Sequence, residues 1–358
     1  MHWLLERFAT APLRDAFIHR SRRVSYGDVV HTVERLGSAL RGQGIARGET
    51  VAIVGDYSPE VFCLFLALAV NGNVMVPFTR ESVIELDEAL SMSGCHWLAE
   101  FDESGTTPAF SRHHVPVENS LLGAFLQEDH PGLILFSSGS TGKPKAILHD
   151  FETVAGKFRK QRDPVVAIPF LMIDHFGGIN TILGIVSSLG TVVTVADRSV
   201  SKICRSIAEY RVELLPATPS FLTMLVASKL DREFDLSSLK RITYGTEVMP
   251  QSTLDRLHSS FPGVHFQQTY GLSEVGVLRS KSRADGSLWL TVGGEGFETR
   301  VADGMLWVRS AYAMIGYLNA PSEFDSDGWF NTQDMVEVDG DYLRILGRVT
   351  DLINVGGQ

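Results

Sequence analysis

The chain has 358 residues, of which 44% are hydrophobic and 21% are charged, a composition typical of a globular enzyme with a sizeable core. A formal net charge of −10 and the lack of a long Lys/Arg run argue against a nucleic-acid-binding surface. The longest apolar run, Val61–Val70, is too short to cross a bilayer, so the sequence predicts no membrane span. The N-terminus lacks the basic region of a signal peptide, and an odd set of 3 cysteines is typical of reduced thiols. We therefore expect a cytoplasmic protein.

Strand and helix patterns alternate along most of the chain, which predicts an α/β fold with a largely parallel sheet. The predicted elements are a helix over 29–41, a strand over 51–54, an apolar helix from Pro59, and strands over 74–78 and 165–168. They continue with a helix after Gly177, strands over 192–195 and 211–215, a helix over 220–230, a strand over 242–244 and a helix from Pro250 to Pro262.

The pattern changes beyond Gly286, where short alternating runs are separated by Asp-Gly and Gly-Asp pairs. Such pairs favour β-hairpins, so we predict a small antiparallel, barrel-like subdomain. The expected division is a core over 1–346, with α/β subdomains to about residue 285 and the β-rich subdomain over about 286–346. Residues 347–358 would form a hinge motif.

Residues 133–150 read LILFSSGSTGKPKAILHD, an apolar strand followed by small hydroxyl residues, glycines and two lysines. Glycine allows close backbone approach, and exposed N–H groups, hydroxyls and ammonium groups together suit a polyphosphate. A flexible Ser/Gly turn is the structural alternative. The run is not a Walker A loop, because Ser137 stands where that motif has Gly and Pro144 follows Lys143.

The same run resembles the phosphate signature of the adenylate-forming superfamily, which includes acyl- and aryl-CoA synthetases, luciferases and peptide-synthetase adenylation domains. Further segments in the family's order also resemble its motifs. They are Pro169–Gly178, Leu215–Phe221, Tyr244–Pro250, Gln268–Gly276, Gly328–Met335 and Gly347–Gly357. The resemblance covers almost the whole chain and implies the large N-terminal domain of such an enzyme.

The resemblance also implies roles for individual residues. Catalytic roles fall to Lys145, Glu274, Ser273 and His175, with Glu274 as the Mg²⁺ ligand. ATP would be bound by Ser138, Gly139, Ser140, Thr141, Gly142, Lys143, Gly245, Thr246, Glu247, Tyr270, Gly271, Asp334 and Arg348. In that set Tyr270 lies against adenine and Asp334 accepts the ribose hydroxyls. The acid pocket would include Phe176, Gly177, Phe221 and Thr269.

Each of these residues also has a structural alternative. Glu274 alone reads as a solvated charge, Asp334 as a turn cap and His175 as a structural histidine, while His149 is read as structural. A hydrophobic set at helical spacing fits core packing as well as an acyl pocket; it consists of Phe221, Met224 and Leu225.

The chain departs from the family motifs at Ala146, Gln333 and Thr350, of which the first two replace glycines. It also ends at Gln358, within a motif that in the family leads into a C-terminal domain. That domain carries the lysine that bridges carboxylate and α-phosphate, so we expect weak or no adenylation by this chain alone.

The sequence thus predicts an acid–thiol ligase core that uses ATP, Mg²⁺ and coenzyme A to activate a small-molecule carboxylic acid. One alternative is a stand-alone adenylation enzyme that loads a carrier-protein thiol. Asp174 precedes His175 instead of following it, which disfavours an amino-acid substrate. Another alternative is a non-adenylating binder of an acyl chain or adenylate, against which the retained Lys145, Glu274 and Asp334 argue.

Overall fold

The structure is a computed structural model that describes residues 1–82, 85–102, 105–113, 119–137 and 143–348. Its α-helices are α1 (His2–Ala9), α2 (Tyr26–Gln43), α3 (Pro59–Asn71), α4 (Leu86–Ser93), α5 (Ser120–Leu126), α6 (Phe151–Gly156), α7 (Phe176–Val186), α8 (Val200–Tyr210), α9 (Pro219–Ser228) and α10 (Gln251–Ser260).

The strands of the first half are β1 (Asp15–His19), β2 (Arg22–Ser25), β3 (Thr50–Val54), β4 (Val74–Phe78), β5 (Trp97–Phe101), β6 (Pro108–Arg112), β7 (Gly132–Ser137), β8 (Lys145–Asp150), β9 (Val166–Ala167) and β10 (Thr191–Val193). Those of the second half are β11 (Leu214–Ala217), β12 (Arg241–Tyr244), β13 (His265–Gln268), β14 (Tyr270–Leu272), β15 (Gly276–Ser282), β16 (Leu290–Gly293), β17 (Phe297–Ala302), β18 (Met305–Ser310), β19 (Gly316–Tyr317), β20 (Phe330–Asp339) and β21 (Tyr342–Arg348).

The chain divides into two compact units, each made of several segments. Unit 1 comprises Met1–Val165, Leu171–Ala196 and Met314–Ser322, and unit 2 comprises Val166–Phe170, Asp197–Ala313 and Glu323–Gln358.

Unit 1 is built around a sheet of order β19-β8-β7-β4-β3-β5-β6. Strands β7, β4, β3 and β5 run parallel, whereas β6, β8 and β19 pair antiparallel with their neighbours. A core on this sheet includes Val76, Ile134 and Leu148, all fully buried. Strand β1 additionally pairs parallel with β10 and antiparallel with β2.

Unit 2 contains a parallel set and an antiparallel sheet. The parallel set places β11 between β9 and β12, and β12 next to β13. The antiparallel sheet has the order β14-β15-β16-β21-β20-β18-β17, with a core that includes Val275, Leu306 and Val308. This sheet begins at Tyr270, upstream of the change in sequence pattern near residue 286. The predicted α/β class, with parallel-rich sheets and an antiparallel sheet, is confirmed.

Local sequence explains the boundaries of the apolar helix α3. The Ser58 side chain accepts a hydrogen bond from the Val61 N–H, Pro59 occupies the first turn, and Gly72 ends the helix at φ 81°. The helix is buried on nearly all sides, as its uninterrupted apolar sequence predicts. No helix in the described part of the chain is long and apolar enough to span a membrane.

Several boundaries differ from the sequence-based expectation. Strand β11 begins at Leu214 and not at Arg211, because Arg211 adopts φ 55° and ends the preceding helix α8. That helix was not predicted from the sequence. Strand β10 ends at Val193, before the predicted end at residue 195.

Candidate active site

Strands β7 and β8, which flank the predicted phosphate loop in the sequence, belong to unit 1. Strands β7 and β8 pair antiparallel, with Ser137 opposite Lys145 and Phe136 opposite Ala146. The predicted phosphate-loop residues 138–142 lie outside the described residues. Lys143 is exposed, whereas Lys145 is half-buried at the start of β8. The structure therefore describes the start of β8, which carries Lys145, the second of the two lysines.

Lys145 lies beside the short strand β19. Its Nζ atom is 4.7 Å from the centroid of the Tyr317 ring. The side chain of Asn319 accepts a hydrogen bond from the Ala146 N–H (2.9 Å) and donates one to the Pro144 carbonyl (2.8 Å). Sequence reasoning missed both Tyr317 and Asn319, because they are far from Lys145 in the chain and belong to none of the recognised motifs.

His175 caps the N-terminal end of α7, and its side chain is 64% exposed. Its Nε2 atom is 3.9 Å from Oδ1 of Asp174. The Asp174 side chain is only 13% exposed, and its Oδ2 accepts hydrogen bonds from Ser82 Oγ (2.7 Å) and Thr79 Oγ1 (3.3 Å). A buried carboxylate held by two hydroxyls thus lies next to the predicted histidine.

The residues after His175 are tightly packed. The Phe176 side chain is buried, with its ring centroid 5.0 Å from that of His149. A Cβ added at Gly178 would lie 1.8 Å from the Met172 carbonyl oxygen, whereas one at Gly177 would lie 2.6 Å from a flexible Leu171 methyl. Glycine is therefore required at position 178 by close backbone approach.

In unit 2 candidate residues for adenine and for the acid pocket follow neighbouring parallel strands. Because β11, β12 and β13 are parallel and adjacent, the segments after their carboxyl ends lie at one edge of the sheet. These segments carry Phe221 after β11, a Gly245–Thr246–Glu247 turn after β12, and Thr269 and Tyr270 after β13.

The turn after β12 is held from both sides. A Cβ at Gly245 would lie 2.6 Å from Thr269 Oγ1, so these two segments are in close contact. Thr246 adopts φ 71°, and the Glu247 carboxylate accepts hydrogen bonds from the Ser220 N–H (3.0 Å) and hydroxyl. Glu247 therefore ties the turn to the N-terminal end of α9.

The candidate acyl-pocket helix α9 buries one face only. Phe221 is 2% exposed and its ring lies 4.7 Å from that of Phe170, and Leu225 is fully buried. Met224, in contrast, is 55% exposed, so it does not belong to the core. The buried face runs through positions 221, 222, 225 and 226, and position 224 falls outside it.

A buried polar cluster joins β14 to the β20–β21 pair. The Tyr270 hydroxyl donates a hydrogen bond to Asp334 Oδ2 (2.5 Å), and each residue is 8% exposed. Arg348 lies opposite Asp334 in the strand ladder, with its Nε 3.6 Å from Asp334 Oδ1. Burial, followed by the Asp334 charge, raises the pKa of Tyr270 well above its ordinary value.

Two motif residues lie in a tight hairpin turn. Strands β14 and β15 pair with Leu272 opposite Gly276, which leaves Ser273 and Glu274 in the connecting turn. A Cβ at Gly271 would lie 2.7 Å from the Gly276 carbonyl oxygen, so this position also requires close backbone approach. The turn carries one hydroxyl and one carboxylate near the end of the motif.

Gln333, which precedes Asp334, has a left-handed backbone with φ 59° and an exposed side chain. This conformation favours glycine, which explains why the family motif has glycine here. Ala146, the other departure at a glycine position, is fully buried in β8. Thr350 lies outside the described residues.

Comparison with known proteins gives a consistent family. Residues 4–318 match the family described as AMP-binding enzyme. The indoleacetate–CoA ligase of Aromatoleum aromaticum is 27% identical, in an alignment that covers 99% of this chain and 79% of that protein. A feruloyl-CoA synthase of Amycolatopsis sp. is also 27% identical, with 99% and 80% covered.

Among solved structures, the N-terminal subdomain of Klebsiella oxytoca NpsA, in complex with 3-hydroxyanthranilyl-AMSN, has a similar fold. Its TM-score is 0.78 at 20% sequence identity, with 97% of this chain and 99% of that chain covered. The match of the family over most of the sequence, together with this fold, shows that the chain belongs to the AMP-binding enzyme family.

Proposed function

We propose that this chain is the core of an acid–CoA ligase, which activates a carboxylic acid with ATP and transfers the acyl group to coenzyme A. The observation that carries the proposal is the buried Tyr270–Asp334 hydrogen bond, with the exposed Arg348 guanidinium beside it, in a chain of the AMP-binding family. Relatives named as CoA ligases support it.

The nucleoside would be bound by unit 2. Asp334 offers two carboxylate oxygens, which suit two ribose hydroxyls, and one of them already accepts a hydrogen bond from Tyr270. The Tyr270 ring would lie against adenine, with the Gly245–Thr246–Glu247 turn and Gly271 lining the other sides. The Ser220 contact that holds Glu247 supports a preformed turn.

The phosphates would be bound by cationic and hydroxyl side chains. We assign Lys143, Lys145 and residues 138–142 to the β- and γ-phosphates, Ser273 to the α-phosphate and Arg348 to ribose or phosphate. Mg²⁺ would neutralise phosphate charge, and Glu274 would hold it. A single carboxylate in a turn fits a cation that takes most of its other ligands from phosphate oxygens and water.

The chemistry would proceed in two displacements. A carboxylate oxygen of the acid attacks the α-phosphorus, the bond from that phosphorus to the bridging oxygen breaks, and pyrophosphate leaves. The coenzyme A thiolate then attacks the acyl carbon, a C–S bond forms, and AMP leaves. The protein positions the groups and neutralises their charge. His175, held near Asp174, would lie at the passage for the thiol.

The acid would contact Phe176, Gly177, Phe221 and Thr269. Relatives of this chain are named for their action on indoleacetate, ferulate and, in Mycobacterium tuberculosis, long-chain fatty acids. A panel of acids for binding assays should therefore contain all three classes. We also propose a cytoplasmic location, because three buried free thiols suit a reducing compartment.

A thermal-shift titration with ATP·Mg²⁺, AMP and this acid panel tests the function. A nucleotide at about 100 times its dissociation constant should stabilise the fold by roughly 2.7 kcal/mol. The stabilisation should disappear in Asp334→Ala and grow with one class of acid. Stabilisation by an acid but by no nucleotide would refute the ligase and favour an acyl binder.

A further inference from the structure

We infer that Tyr317 and Asn319 are positioning residues that hold Lys145 ready for the phosphates of ATP. This inference rests on the proposed function, because it concerns the lysine assigned there to the β- and γ-phosphates. The three residues all belong to unit 1. Neither Tyr317 nor Asn319 needs to contact the ligand itself.

The backbone on both sides of Lys145 is held by one side chain. Asn319 uses its amide oxygen to accept from the Ala146 N–H and its amide nitrogen to donate to the Pro144 carbonyl. The two hydrogen bonds fix the peptide groups that flank Lys145 in the chain. The direction in which its side chain leaves β8 is therefore set by Asn319.

The segment that carries Asn319 is itself anchored to β8. Gly316 and Tyr317 of β19 pair with Leu148 and Ile147. The Leu318 N–H donates to the Ala146 carbonyl, and the Asn119 side chain donates to the Leu318 carbonyl (2.8 Å). These contacts place residues 316–319 as a third strand beside the lysine.

Tyr317 then acts on the ammonium group directly. Its ring is 5% exposed and its centroid lies 4.7 Å from Lys145 Nζ, within the range of a cation–π interaction. An aromatic face attracts the ammonium but carries no net charge, so the full positive charge of Lys145 is retained for phosphate. A carboxylate in the same place would neutralise it.

The benefit expected from this arrangement is entropic. A free lysine side chain loses rotamer freedom when a phosphate orders it. A lysine already held over an aromatic ring has lost part of that freedom before ATP binds. The arrangement should thus strengthen ligands that have β- and γ-phosphates and leave AMP binding unaffected.

Calorimetric titration of ATP·Mg²⁺ and AMP into matched variants tests the inference. In Tyr317→Leu the dissociation constant for ATP should rise about three- to tenfold, while that for AMP changes less than about twofold. Tyr317→Phe keeps the ring and should resemble the wild type with both ligands. Asn319→Ala should weaken ATP selectively, as Tyr317→Leu does.

The Lys145→Ala background provides a further check, because adding Tyr317→Leu to it should cause no further loss of ATP affinity. An unchanged ATP-to-AMP affinity ratio in Tyr317→Leu and Asn319→Ala would overturn the inference, whether both ligands weaken or neither does. Failure of the proposed function has a different signature, namely a wild-type chain that binds neither nucleotide.

Discussion

Removing the Tyr270 hydroxyl isolates the hydrogen bond at the centre of the candidate nucleotide site. Tyr270→Phe keeps the buried ring and deletes only the donor to Asp334. Both residues are 8% exposed, so water does not readily replace the lost donor. A buried hydrogen bond to a charged group contributes about 1.5–3 kcal/mol, and we expect the free energy of unfolding at pH 8 to fall by about 2 kcal/mol.

The difference between wild type and variant should also depend on pH. Burial and the Asp334 charge raise the pKa of Tyr270 in the folded protein above its value near 10 in an unfolded chain. Below pH 10 both states keep the phenolic proton, and the contribution of Tyr270 is complete. Above pH 10 the unfolded state loses the proton first, so this contribution decreases as pH rises toward the folded pKa.

Urea unfolding at pH 8 and pH 10.5 measures both effects. Tyr244→Phe is the matched control, because Tyr244 is buried and only burial raises its pKa; we expect it to cost less than about 1 kcal/mol. A Tyr270→Phe loss no larger than that of the control at pH 8, or one that grows above pH 10, would refute the reasoning.

Further predictions concern packing, backbone strain and thiol chemistry. Gly178→Ala places a Cβ 1.8 Å from the Met172 carbonyl oxygen and should lower the free energy of unfolding by about 3 kcal/mol or more. Gly177→Ala meets a flexible side chain, so it should lower the free energy of unfolding clearly less in the same urea assay. Equal losses in the two variants would contradict this prediction. Gln333→Gly removes a φ of 59° from a non-glycine residue and should raise the free energy of unfolding by about 0.5–1 kcal/mol. If Gln333 also narrows the nucleotide pocket, the same substitution should raise the rate of adenylate formation in a protein that has a C-terminal domain. An unchanged rate would contradict the narrowing of the pocket. Burial raises the pKa of the Cys204 thiol to about 11, so Ellman's reagent at pH 8 should label the native chain slowly and the urea-unfolded chain fast; rapid native labelling would show that the thiol is accessible.

Much of the fold could be predicted from the sequence because its signals are local. The helix α3 combines an apolar run with Ser58 and Pro59 at its start and Gly72 at its end. Strand β4 coincides with the predicted apolar run over 74–78. Helix α8 was missed, and the residue that ends it, Arg211, was taken for the start of a strand, because the left-handed conformation of Arg211 has no sequence signal as clear as a glycine.

The contacts of the candidate site were less predictable, since they join distant parts of the chain. The resemblance pointed to Tyr270 and Asp334 separately, but the hydrogen bond between them depends on the packing of β14 near β20. The pairing of Asn319 with the backbone around Lys145 spans an even longer separation. Helical spacing also placed Met224 with buried neighbours, although its position outside the buried face leaves it exposed.

The central claim is that this chain binds an acyl-adenylate as one ligand. The most direct test is calorimetric titration with acyl-sulfamoyl adenosine analogues that carry indoleacetyl, feruloyl or long-chain acyl groups, compared with AMP. An adenylate-forming site should bind the analogue of its own acid at least about 100-fold more tightly than AMP, because such a site is complementary to the intermediate and its flanking transition states. Binding no tighter than AMP for every acyl group would contradict the account.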